Sequence, residues 1–100
     1  MMNDYILLMH NDVPDRSGNR AAEWSAYFAV LKQAGAFQGG SAIGDGICAA
    51  KSPAVRGITQ HLAGYIRIQA ESLSHARELV IGNPVFEAGG TVEIRELPKT

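Results

Sequence analysis

The run Tyr5–Ile6–Leu7–Leu8–Met9 constrains this chain more than any other segment. It has the length of a strand, and the polar trio His10–Asn11–Asp12 closes it. Successive strand residues point to opposite faces, so Tyr5, Leu7 and Met9 line one side and Ile6 and Leu8 the other. Both sides are apolar. A strand of that kind is covered on both faces and is predicted to lie inside its sheet. The chain has 100 residues, and a domain of that size builds only a limited core. The remaining elements must therefore supply a cover for each face, or leave one face for a partner.

The loop Val13–Pro14–Asp15–Arg16–Ser17–Gly18 follows. The next segment reads as a helix. Asn19 is expected as its N-cap, and Glu23 suits the positive end of the helix dipole. Trp24, Tyr27, Phe28, Leu31 and Ala34 recur at three- and four-residue steps and form one apolar stripe, and Gly35 fits the stop. A glycine-rich second strand is expected from Phe37 to about Ile43, fading into a loop. Leu62 to Gln69 reads as a third strand, in which Ile66, Ile68 and Ala70 alternate with Arg67 and Gln69. Ser72 is expected to cap a second helix with Leu73, Ala76, Leu79 and Val80 as its inner stripe, ended by Gly82–Asn83–Pro84. Thr91 to Glu96 alternates as a last strand with Val92 and Ile94 facing in.

The order is β-α-β-β-α-β, an α+β, ferredoxin-like arrangement: a four-stranded antiparallel sheet with two helices on one face, in one domain spanning residues 1–100. Two helices cover one sheet face only. Ile6 and Leu8, with Leu62, Tyr65 and Val92 adding to the apolar excess, leave the other face in need of a cover. A second copy of the same sheet is the simplest supply, so a homodimer through the helix-free face is expected.

Composition excludes several classes of function. Apolar residues make up 46%, so the chain is not disordered throughout. Nine basic and ten acidic residues leave a formal net charge of -1, with no excess of positive charge for a nucleic-acid backbone. The longest unbroken apolar run, Ala26 to Leu31, is far short of a membrane span. The first residues carry no basic segment of the kind that opens a signal peptide. Cys48 is the single cysteine, which rules out an intrachain disulfide and suits a reducing compartment. A cytoplasmic protein is expected. Cys48 sits in the run Ile47–Cys48–Ala49–Ala50, where a buried, inert thiol is expected.

Motifs of known chemistry are weak. Gly44–Asp45–Gly46–Ile47–Cys48–Ala49 matches a dinucleotide fingerprint on paper, but Lys51–Ser52–Pro53 arrives before a helix could run two turns. Neither a nucleotide nor another cofactor is expected. His10 and Asp12, near Asn11 and Asp15, cluster at the end of the first strand, but His-x-Asp is a poor match to metal-ligand spacing and no metal is expected. His61 and His75 read as surface residues, and Ser41 has no nearby base.

Several segments together resemble the YCII-related proteins, a group that includes the DGPF-type domains. The first strand ends in Asp12–Val13–Pro14, similar to the family's D-x-P. The first helix ends Leu31–Lys32–Gln33–Ala34–Gly35, similar to L-K-x-x-G. The third strand holds Leu62–Ala63–Gly64–Tyr65, similar to L-G-G-Y. The second helix begins Ser72–Leu73 and is followed by Asn83–Pro84, and the last strand reads Gly90–Thr91–Val92–Glu93–Ile94–Arg95. The resemblance runs end to end and implies a dimeric α+β barrel, in which two ferredoxin-like sheets pack face to face. Many members carry a histidine in the first helix and an aspartate in a D-P step after the second, a pair suited to proton transfer or elimination. By position this chain has Tyr27 and Asn83 in those places, and Ser52–Pro53–Ala54–Val55 where the DGPF tetrapeptide would fall. Tyrosine titrates near ~10 and asparagine not at all, so the replaced pair cannot shuttle protons near neutrality in the same way.

Two functions follow. One is a non-catalytic dimer that binds a small organic ligand in a cleft shaped by His10, Asp12, Tyr27 and Asn83. The other is a small lyase, isomerase or dehydrochlorinase-like enzyme acting on an organic, aromatic-type substrate in the same cleft. Under either reading, Tyr27 and Asn83 are expected side by side at the cleft edge, with Asp12 close by.

Overall fold

The computed structural model describes residues 2–14 and 20–99. Its elements are β1 (Asn3–His10), α1 (Arg20–Gln33), β2 (Phe37–Ala42), β3 (Leu62–Ala70), α2 (Leu73–Glu78), α3 (Pro84–Glu87) and β4 (Val92–Leu97). The strands form one antiparallel sheet in the order β2-β3-β1-β4, so β1 lies inside it, as its two apolar faces require. This is the α+β, ferredoxin-like fold expected from the chain.

The register sorts the side chains onto two faces. Leu7 lies opposite Ile66 on one side and Ile94 on the other, and Tyr5 opposite Ile68. These residues bury their side chains beneath Tyr27 and Leu31 of α1, Ala76 of α2 and Val80, which follows α2. Leu7, Leu31, Ile66 and Ile68 are fully buried, each worth roughly 1.5–3 kcal/mol of apolar transfer. Ile6, opposite Arg67 and Arg95, and Leu8, opposite Tyr65 and Glu93, point to the face without helices. That face is a half-buried apolar band of Ile6, Leu8 and Tyr65 edged by charge. Val92 packs on the core beside Met9, in line with its inward-facing place in the alternation of the last strand.

Local signals explain the ends of the elements. Gly35 takes φ of 69°, and the Ala36 and Gly35 amides donate to the Leu31 and Lys32 carbonyls, both at 3.0 Å. These two hydrogen bonds close α1 around a left-handed residue, a conformation that favours glycine. Ala36, not the exposed Ala34 of the predicted stripe, is the buried residue at this end. The expected cap Asn19, and Asp15, lie outside the described residues.

Two further expectations are corrected. The second helical region is two short helices, because Gly82 turns the chain at φ of 92° and Pro84 starts a new helix. In so short an α2 only Ala76 reaches full burial; Leu73 is 58% exposed. Cys48 is exposed, because the whole connection from β2 to β3 stands clear of the core.

Candidate functional site

A cleft of about 560 Å³ opens between α1 and the β1 end of the sheet. Its size falls within the usual range for small-molecule sites. Small residues make it. Gly40 and Ala42 of β2 and Ala63 and Gly64 of β3 form a floor without side-chain bulk, beside Met9 and Ile66. Gly40 is required here: a Cβ at this position would lie 2.6 Å from the Tyr65 carbonyl oxygen and 3.2 Å from the Ile66 Cα. The wall is aromatic. Trp24 and Phe28 stack with ring centroids 5.5 Å apart at 29°, and Phe28 meets Phe37 edge-on at 5.3 Å. The polar residues of the lining are His10, Asn11, Arg20 and Ser41. A flat organic ring has aromatic faces to lie against there and few polar partners to satisfy.

Tyr27 and Asn83 are brought together, as expected, but inside the protein rather than in this cleft. Tyr27 is 2% and Asn83 0% exposed. The Tyr27 hydroxyl donates to the Leu79 carbonyl at 2.7 Å, tying α1 to the end of α2. Burial pushes its phenol up to about 12, with the neighbouring Asn83 amide acting weakly in the other direction. Asn83 is the N-cap of α3. Its Oδ1 accepts from the Val85 and Phe86 amides at 2.9 and 3.2 Å. Its Nδ2 is buried near Tyr27 without a well-formed hydrogen bond. A second, outer groove of about 580 Å³ between α1 and α3 is bordered by Tyr27.

Asp12 is a clasp. Its two carboxylate oxygens accept from the Thr91 amide at 2.8 Å and the Thr91 hydroxyl at 2.6 Å. Those bonds hold its carboxyl below the ordinary 3.8, the hydroxyl contributing most. The Asp12–Val13–Pro14 corner is thereby fastened to the start of β4.

The His10 ring has a partner that sequence reasoning missed. Its Nε2 lies 3.0 Å from Glu93 Oε1, while Glu93 Oε2 accepts from Arg95 at 3.1 Å. The imidazole, first, and the guanidinium, second, hold the Glu93 carboxyl below its usual range. Glu93 shares the helix-free face with Leu8, so the imidazole is turned toward that face. The His61 ring stands edge-on to His10 at 5.0 Å. The signal that would find Glu93 is pairing: once β1 and β4 are adjacent, polar positions of equal parity meet. His75 is not simply solvated either; its Nδ1 accepts from the Glu71 amide at 3.0 Å while Ser72 caps the His75 amide at 3.1 Å. Among the described residues no group of three or more His, Cys, Asp and Glu is placed to hold a metal ion, and no helix is long and apolar enough to cross a membrane. The element that follows the Gly44–Gly46 segment is β3, not the helix that a dinucleotide fingerprint opens.

No protein-family model matches the chain, and no curated protein sequence does. Among solved structures it is similar to the 5-chloro-2-hydroxyhydroquinone dehydrochlorinase TftG of Burkholderia phenoliruptrix, determined in complex with 2,5-dihydroxybenzoquinone. The two share 16% identity over 97% of this chain and 95% of that one, with a TM-score of 0.55. The likeness is one of fold over nearly the whole length.

Proposed function

We propose that this chain is a YCII-related domain over residues 1–100 that works as a cytoplasmic homodimer and binds a small, flat organic molecule between α1 and the sheet. The observation that carries the reading is the cleft itself: about 560 Å³, with glycine and alanine in its floor and the Trp24–Phe28 stack as its wall. A fold neighbour solved with a dihydroxybenzoquinone supports the ligand class. The half-buried band of Ile6, Leu8 and Tyr65 supports pairing through the helix-free face.

Binding without turnover is the better supported alternative. Tyr27, with its phenol at about 12, stays neutral near pH 7, and Asn83 does not titrate. Both are spoken for by Leu79 and by the α3 amides. A catalytic reading needs a titrating pair facing the ligand. The His10–Glu93 pair is turned to the opposite side of the sheet. Of the four residues expected to shape the site, His10 stands at the cleft's rim with its ring turned to Glu93, and Asp12, Tyr27 and Asn83 hold the walls in place.

A thermal-shift screen of phenols, hydroquinones and quinones tests the proposal. A binder at 100 times its Kd should add about 2.7 kcal/mol, which for this size moves Tm by roughly 10–20 °C. Trp24→Ala should abolish the shift. A full shift retained by Trp24→Ala would place the ligand elsewhere.

A further inference from the structure

We propose that the connection between β2 and β3 is an arm that clasps a second copy of this chain. The inference rests on the homodimer proposed above and adds to it a segment that the sheet-face argument does not use. β2 and β3 are adjacent and antiparallel, so a two-residue turn would join them. Residues 43–61 are used instead. Connections longer than about 12–15 residues without secondary structure are uncommon in compact domains and are usually functional.

The arm finds almost nothing to touch within its own chain. Every residue from 43 to 61 except the half-buried Ile58 is exposed. Among the described residues, no backbone–backbone hydrogen bond outside regular elements involves positions 44–60. Its side-chain hydrogen bonds are local, such as Cys48 to the Gly57 carbonyl at 3.5 Å, which brings the two halves of the arm together. Yet the arm is not polar. Ile47 is 91% and Val55 50% exposed. Large apolar side chains left uncovered on a segment that projects from its own fold are what an interface with another chain would bury.

The dimensions point to a second copy as the occupant. A chain of this mass ordinarily exposes about 5,500 Å², whereas this one exposes 6758 Å². Its radius of gyration is 15.1 Å, against about 13 Å for a compact 100-residue domain. The surplus area, about 1,200 Å² per chain, exceeds the roughly 800 Å² that each partner commits to a stable interface. Two-fold symmetry counts that surplus twice, because each copy gives an arm and receives one. The receiving surface is continuous with the arm: β3 begins at its foot and carries Tyr65 into the open apolar band with Leu8.

Cys48, the single cysteine, lies in the arm and is exposed, so the native sequence carries its own probe site. The protein is labelled there with benzophenone maleimide, mixed as ¹⁴N and ¹⁵N preparations, irradiated and mapped by mass spectrometry. Links between chains, reaching peptides that contain residues 6–8 or 65, are expected. In parallel, Ile47→Asp with Val55→Asp should raise the dimer Kd at least about tenfold in sedimentation equilibrium, with an unchanged circular dichroism spectrum. A dimer that gives only intrachain links, or whose Kd ignores both substitutions, overturns the arm and leaves the sheet-face dimer standing. A monomer of 10.7 kDa at all accessible concentrations overturns both.

Discussion

Replacing Asn83 by alanine separates a structural role from a ligand-binding one. The wild-type Oδ1 satisfies two amides at the start of α3, and the residue is wholly enclosed. Losing an N-cap costs about 0.5–2 kcal/mol. The Val85 amide belongs to a buried residue and would be left without a partner, and a stranded buried donor costs about 1–3 kcal/mol. The two figures overlap, since they describe the same broken bonds. An opposing effect comes from removing the unbonded Nδ2, whose desolvation already weakens the wild type. The net loss should be about 2 kcal/mol, which corresponds to a Tm lower by roughly 8–16 °C. Asn83→Ser keeps an acceptor of nearly equal capping strength and deletes the unbonded amide, so it should remain within about 1 kcal/mol of wild type. Urea unfolding of the three proteins, followed by circular dichroism, gives the comparison. Alanine as stable as wild type, or serine as damaging as alanine, would refute the capping argument. If Asn83→Ala abolished ligand binding without altering stability, Asn83 would be a ligand contact after all.

Three further outcomes follow from other parts of the molecule. Asp12 is held below its ordinary range by Thr91, so the stability it contributes is present above about pH 4 and is lost as pH falls through the folded value; Thr91→Val should flatten that acid limb in pH-dependent urea titrations. The raised Tyr27 phenol works in the other direction, its contribution being complete below about pH 10 and lost as pH rises toward 12, and absorbance titration at 295 nm should show a late component that Tyr27→Phe removes. Gly40→Ala would drive a Cβ to 2.6 Å from the Tyr65 carbonyl and should cost about 1–3 kcal/mol, whereas Gly44→Ala, with nothing within 4 Å, should unfold at the wild-type urea midpoint.

The sheet was legible because its information is local. The two apolar parities of residues 5–9 place β1 inside, and clean alternation places Ile66, Ile68, Val92 and Ile94 on the covered side. What stayed hidden depends on register and on surfaces outside the chain. His10 and Glu93 are 83 positions apart, and each alone reads as a solvated strand-end residue; only the β1–β4 pairing makes them partners. Tyr27 and Asn83 are neighbours, but position in the chain says nothing of which way a side chain faces, and both face inward instead of standing at a cleft edge. The run from Ile47 to Ala50 has the composition of a core segment, yet the surface it would pack against is not supplied by its own fold. The brevity of α2 is hidden because its apolar spacing continues past the helix end to Val80, which is buried, while Leu73 at the helix start is exposed.

The most direct test of the cleft uses the single tryptophan, which stands in its wall. In ¹⁵N-labelled protein, the indole N–H resonance of Trp24 and the amides of Gly40 and Gly64 are followed while 2,5-dihydroxybenzoquinone and then the phenols and hydroquinones of the screen are titrated in. Saturable shifts are expected at these three groups together, with Gly44, Ile47 and the rest of the arm unmoved. Shifts confined to other regions, or none with any flat organic ring at millimolar concentration, would contradict a ligand site in the cleft.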